Sequence, residues 1–121
     1  MQAKKSVIDQ KLKELSREAE ERDAMRRASK TGYPYLDVKA APINVEALAL
    51  IPEVQSEEAK VAPFALKSQG KEIALAFFDP ELPKAKEAVA DLESRGYKIS
   101  PCVVSLSSLK HIWNFYKFVP K

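Results

Sequence analysis

The side chains of this 121-residue sequence whose type and spacing invite a test for catalysis or metal binding are the one cysteine, Cys102, the one histidine, His111, and the carboxylates Asp79 and Glu81 on either side of Pro80. His111 precedes Ile112 and Trp113, and the sequence identifies no serine or cysteine partner for it. It therefore reads as a structural or solvated imidazole rather than a general base. Cys102 lies in an apolar run with nothing nearby to lower its pKa, the pattern of an inert buried thiol. A single cysteine excludes an internal disulfide, and Cys102 with His111 cannot supply four zinc ligands. Asp79-Pro80-Glu81 is explained by capping and by the dipole of a following helix. The three glycines, Gly32, Gly70 and Gly96, are too far apart to build G-x-x-x-x-G-K-[ST] or G-x-G-x-x-G, so no phosphate-cradling loop is present. The expectation is no catalytic residue, no cofactor-binding residue, no cofactor and no metal ligand, and hence no enzyme activity in this chain alone.

The elements that would position these residues form an arm and a body. Residues 1–31 contain no glycine or proline and carry nine basic against six acidic side chains, while residues 32–121 balance. The formal net charge of +3 therefore belongs to the arm. The arm reads as one helix from about Ser6, a suitable N-cap, to Ser29, with Gly32 as its stop and Pro34 barring continuation. Ile8, Leu12, Leu15 and Ala19 form one stripe at 4, 3, 4 spacing, which then meets Arg22 and fades towards Met25 and Ala28. Glu18 with Arg22 and Asp23 with Arg27 add i, i+4 support, which lets such a helix stand partly in water.

In the body, Tyr35, Leu36 and Val38 favour a short extended segment, and Asn44 caps a helix over residues 45–50 with Ile43 and Leu48 as its staple. Pro52 closes that helix and opens another through Glu58. Two strands, Val61 to Lys67 and Glu72 to Phe78, turn at Gly70. Alternation assigns Phe64 and Leu66 to one face, and Ile73, Leu75 and Phe77 to one face of the partner, both core-facing. Asp79-Pro80 caps and opens a helix that settles after Pro83, with Leu82, Ala85, Val89 and Leu92 inward, and Gly96 ends it. Tyr97 to Val104 is a strand whose Pro101 argues for an edge or a bulge. Ser105 caps a last helix with Leu106, Leu109, Trp113 and Tyr116 inward. The expected class is α/β of the α+β type: a small three- to four-stranded sheet packed with helices, on one face because strands are few, behind a long N-terminal helix. The domain reading is a charged helical arm over 1–31 and a small α/β docking domain over 32–121.

Charge and aromatic placement narrow the partners. Arg22, Arg26 and Arg27 are interleaved with Glu18, Glu20, Glu21 and Asp23, so the field is weak for a nucleic acid, and the apolar face is too thin for a membrane surface. With no apolar run near the length of a membrane span and no export signal, the chain reads as soluble. Trp113, Phe115, Tyr116 and Phe118 are more aromatic residues than a small core takes, which leaves some of them for a partner. The candidate partner-contact residues are Arg22, Arg26, Arg27, Phe115 and Phe118.

From Thr31 onward the sequence resembles the N-terminal domain of type II secretion and type IV pilus assembly ATPases. The resemblance rests on Gly32-Tyr-Pro-Tyr-Leu-Asp37, on Ile43-Asn-Val-Glu-Ala-Leu-Ala-Leu-Ile-Pro52, on Val61-Ala-Pro63 before a hairpin, on Phe78-Asp79-Pro80 and on a glycine-bounded step to Pro101 and Ser105. It covers about 85 residues by this matching of motifs in order. The resemblance implies a bacterial, noncatalytic domain that docks a motor ATPase domain, present in the full-length parent, to the inner-membrane platform protein of the machine. Its expected place is the cytoplasm at the inner-membrane face, held there through partners and without inserting into the membrane itself. Some members bind cyclic di-GMP through tandem R-L-G…L…G-x-I…L…L…Q motifs upstream of "ALALIP", and nothing like them precedes Gly32. The docking role is therefore carried over, with a cyclic di-GMP sensor and a free-standing α/β adaptor as alternatives.

Overall fold

The computed structural model describes residues 2–38 and 42–119, with side chains from Arg17 onward. The arm is one helix, α1 (Gln2–Thr31), so Ser6 lies inside it rather than capping it. Gly32, at φ +77°, ends it, as its freedom in the left-handed region allows. The body runs α2 (Val45–Leu48), α3 (Glu53–Ala59), β1 (Val61–Lys67), β2 (Glu72–Phe77), α4 (Pro83–Ser94), β3 (Lys98–Val103) and α5 (Leu106–Trp113). A 3-10 helix, Asn114–Phe118, ends it. The expected caps are in place: Asn44 accepts from the Glu46 amide at 2.9 Å and the Ser105 side chain from the Ser108 amide at 3.2 Å. Asp79, expected to cap the following helix, instead accepts from the Glu81 amide at 3.0 Å in the turn before α4, whose own N-cap is Leu82, with no side-chain cap bond.

The three strands form a mixed sheet in the order β1-β2-β3, β2 pairing antiparallel with β1 and parallel with β3. β3 lies at an edge of this sheet, which accommodates Pro101 opposite Leu75. The segment around Tyr35 contributes one parallel bridge to Val103 instead of a strand, with Leu36 donating to the Val103 carbonyl at 3.0 Å and Val103 to that of Pro34 at 2.8 Å.

Helices cover both faces of the sheet rather than one. On the first face Phe64, Ala74, Ala76 and Cys102 pack against Leu48 of α2, Leu109 and Ile112 of α5, and Tyr116. On the second, Ile73, Leu75 and Phe77 pack against Ala59 of α3 and Ala85 and Leu92 of α4. Small alanines alternating with large residues along β2 make this possible, since one strand then feeds two cores. Phe64 and Leu66 end on opposite faces, because the register shifts between Pro63 and Ala65 and a bulge inverts the phase of β1. Tyr116 ties the two layers together: its hydroxyl donates to the Ile51 carbonyl at 2.8 Å and lies 2.5 Å from Ser56 Oγ.

Candidate docking surface

The contact residues read from the sequence divide into those spent on the fold and those facing outward. α1 packs on β3 and α5 through Ala24 and Ala28, both buried. Small residues there let the helix axis approach closely, and polar contacts fix its rotation. Glu21 Oε1 accepts from the Tyr35 hydroxyl at 2.5 Å, and Glu20 accepts from Ser107. Burial and this carboxylate both raise the Tyr35 pKa.

Arg27 belongs to the same seam. Its Nε donates to the Phe78 carbonyl at 2.7 Å and one terminal nitrogen to the Val104 carbonyl at 3.4 Å, while the other pairs with Asp23. The guanidinium carbon lies 4.0 Å from the centre of the Phe78 ring, a cation–π contact. Burial pulls the guanidinium pKa below its ordinary value, against the opposing influence of Asp79 and Glu21. Arg27 thus serves the arm-to-body joint within the chain. Arg22 and Arg26 are exposed, with the Arg22 Nε 3.5 Å from the Glu18 carbonyl oxygen. Met25, also on α1, is 49% exposed.

At the other end of the chain, Phe115 is partly buried against the first core. His111 meets its ring edge-on at 5.6 Å between centroids, and Phe118 lies 6.0 Å away. Phe118 is 60% exposed, and Lys117 Nζ sits 5.2 Å from its ring centre. Trp113 is occupied internally, donating to the Val61 carbonyl at 3.0 Å. Phe115 and Phe118 are therefore neighbours at one surface, while the exposed arginines are placed on a separate element, α1.

Two features of this surface were outside the sequence reading. The joint made by Glu20, Glu21, Tyr35, Phe78 and Ser107 joins positions up to 87 apart, with backbone carbonyls among the acceptors, and no local pattern announces it. The second is a hollow of about 360 Å³ between α3 and α4, floored by Ile51, Ala59 and Ala88 and rimmed by Gln55, Glu58, Lys84, Glu87 and Asp91. Its charges are largely paired: Lys84 Nζ reaches Glu58 at 3.4 Å, and Arg95 reaches Asp91 at 2.9 Å and the Leu50 carbonyl at 2.7 Å.

Groups with chemical potential are placed where they hold structure. Cys102 is buried, its Sγ 3.8 Å from the Leu75 carbonyl oxygen, and desolvation pushes its pKa up to about 12, beyond the opposing influence of Lys67. Asp79 caps a turn, and His111 packs on a phenylalanine. Among the described residues no group of three or more His, Cys, Asp or Glu side chains is placed to hold a metal ion, and no helix is long and apolar enough to cross a membrane.

A three-stranded mixed sheet between two helical layers, with the "ALALIP" helix entering it, defines a class, and family comparison agrees. The MshEN domain model matches residues 31–116. The chain belongs to the MshEN domain family, the N-terminal domains of type II secretion and type IV pilus ATPases. Such a domain is regulatory and is not the catalytic ATPase domain. Among solved structures, that of MshE with cdg is similar, with a TM-score of 0.64 and 21% identity. The similarity covers 74% of this chain and 62% of that one. No curated protein matches.

Proposed function

We propose that this chain is a noncatalytic docking and regulatory module of a type II secretion or type IV pilus assembly machine. It binds the inner-membrane platform protein through a preformed surface and conveys that contact to the motor ATPase domain of the full-length parent. The work takes place in the cytoplasm, at the inner-membrane face. The observation that carries this reading is the MshEN match across 31–116, a regulatory domain. It is supported by the site chemistry, since Cys102, Asp79 and Arg27 are engaged in packing, capping or the arm joint. Phe118, exposed beside Phe115 and under a lysine, is the side chain best placed as an aromatic anchor. The test is a pull-down of the cytoplasmic region of the cognate platform protein. The expected result is capture by the native chain and roughly tenfold weaker capture by Phe118→Ala, the loss typical of an aromatic anchor. No capture at high micromolar concentration by folded protein contradicts it.

A second reading is favoured by one observation, the shared fold with MshE bound to cdg. In it the chain senses a cyclic dinucleotide, taken as cyclic di-GMP. A ligand present at about 100 times its Kd stabilises its protein by about 2.7 kcal/mol, which a melting curve registers. A melting temperature unmoved by cyclic di-GMP removes this reading.

A further inference from the structure

The hollow between α3 and α4 is tied at both ends and open between them. At one end Lys84 Nζ reaches Glu58 Oε2 at 3.4 Å, and at the other Arg95 joins Asp91 Oδ2 to the Leu50 carbonyl. These ties set α4 antiparallel to the stretch from Leu50 to Glu58, so chain order places Gln55 and Glu87 in the interval between them. Neither Gln55 nor Glu87 has a hydrogen bond or ion pair among the described residues. Lys84 engages one oxygen of Glu58 and Arg95 one oxygen of Asp91, which leaves the second oxygen of each carboxylate to accept. Acceptors above a floor of Ile51, Ala59 and Ala88 suit cationic groups that flank an apolar side chain. The lining is mostly polar, whereas a pocket that encloses a small molecule is mostly apolar.

The same chain presents that pattern on α1. Ala24 and Ala28 turn into the body, and the outer side of the helix carries Arg22, Met25 and Arg26, all exposed. Arg22 Nε lies 3.5 Å from a carbonyl of its own helix, and Arg26 has no hydrogen bond or ion pair among the described residues. At 1.5 Å of rise per residue Arg22 and Arg26 stand about 6 Å apart along the axis, and Glu87 and Asp91 on α4 are spaced alike. We propose that the outer side of α1 in one copy docks across the α3–α4 hollow of a second copy. Met25, an adaptable thioether that is 49% exposed, seats on Ile51 and Ala88. Arg22 and Arg26 flank it and pair with Glu87 and the free oxygen of Asp91. Within one chain the two surfaces stay apart, because the joint at Arg27, Glu20 and Glu21 holds α1 on β3 and α5. The contact joins unlike patches, so every copy carries one of each. This inference stands apart from the docking role and from cyclic dinucleotide binding, and its test needs neither ligand.

The test is sedimentation velocity of the 121-residue chain over a concentration series reaching about 1 mM, the range of weak contacts. The native chain is expected to self-associate in about 0.1 M salt and to lose this in about 1 M, where charges are screened within about 3 Å. Arg22→Glu with Arg26→Glu removes the docking face and keeps the hollow, and Glu87→Lys does the reverse. These side chains are exposed, so both variants are expected to melt like the native chain. Each alone is expected to associate at least about tenfold more weakly, since like charges then meet. An equal mixture of the two is expected to form a dimer, because the intact hollow of one receives the intact α1 of the other. A native chain that stays monomeric throughout the series overturns the proposal, and so does either variant associating as the native chain does. A mixture no more associated than its separate components overturns it as well, since a contact between like patches would behave in that way.

Discussion

A guanidinium serves several acceptors at once only where its plane is held against them, and Phe78 does this for Arg27 by offering both its ring and its carbonyl. Arg27→Ala is expected to cost about 2–3 kcal/mol, from a charged hydrogen bond to a part-buried carbonyl and a cation–π contact. Urea unfolding followed by the fluorescence of Trp113 measures it. Arg27→Lys is expected to recover less than half, since one ammonium cannot reach Phe78, Val104 and Asp23 together. Titration at Cys102 and Tyr116 gives a second prediction, because desolvation pushes each up to about 12 in the folded chain. In the unfolded chain their ordinary values are 9.0 and 10.0. Between those values and about 12 the folded state holds protons that the unfolded state has released, so stability falls as pH rises. The urea midpoint is expected to be level across neutral pH and to drop above pH 9, first through Cys102. The slope approaches about 1.4 kcal/mol per pH unit for each group, and Cys102→Ala removes the earlier part of it.

Elements show where local pattern sufficed. The arm, the Asn44-capped helix, the hairpin and the Gly96-bounded step from α4 to β3 were legible because caps, prolines and glycines act within a turn or two of their own position. The bulge that parts Phe64 from Leu66 was not, since period-2 alternation carries no mark of an inserted residue and only the pairing with β2 reveals it. Nor did the sequence show that the final helix would tighten to 3-10 form at Asn114, where Tyr116 is drawn to Ser56 and Ile51. The hairpin carries an element-scale prediction. Ser68 and Gln69 hold φ of 53° and 60° ahead of Gly70 at 84°, and the Gly70 amide closes the turn on the Lys67 carbonyl at 3.1 Å. Two central residues at positive φ suit Asn-Gly far better than Ser-Gln. Ser68→Asn with Gln69→Gly is therefore expected to raise stability by about 1 kcal/mol, read as an increased urea midpoint at unchanged slope.

At the scale of the molecule, small alanines in β2 and a bulge in β1 let one narrow sheet serve two cores, and its β3 edge receives the arm. A one-sided sheet was the expectation because few strands bury little area, but Ala62, Ala74 and Ala76 make room for α2 and α5 on the face opposite Ile73, Leu75 and Phe77. Of the contact residues read from the sequence, Phe115 and Phe118 sit together at the outside, while Arg27 belongs to an internal joint whose backbone acceptors lie 51 and 77 residues away. Sequence patterns register neighbours along an element, and long-range acceptors on the backbone leave no such trace. The central claim is that this molecule acts by contact with another protein. Calorimetric titration of the folded chain with the cytoplasmic region of the platform protein tests it most directly. The account predicts a saturable heat that Phe118→Ala weakens. Absence of any heat of binding at high micromolar concentration, from protein whose melting curve is cooperative, would contradict it.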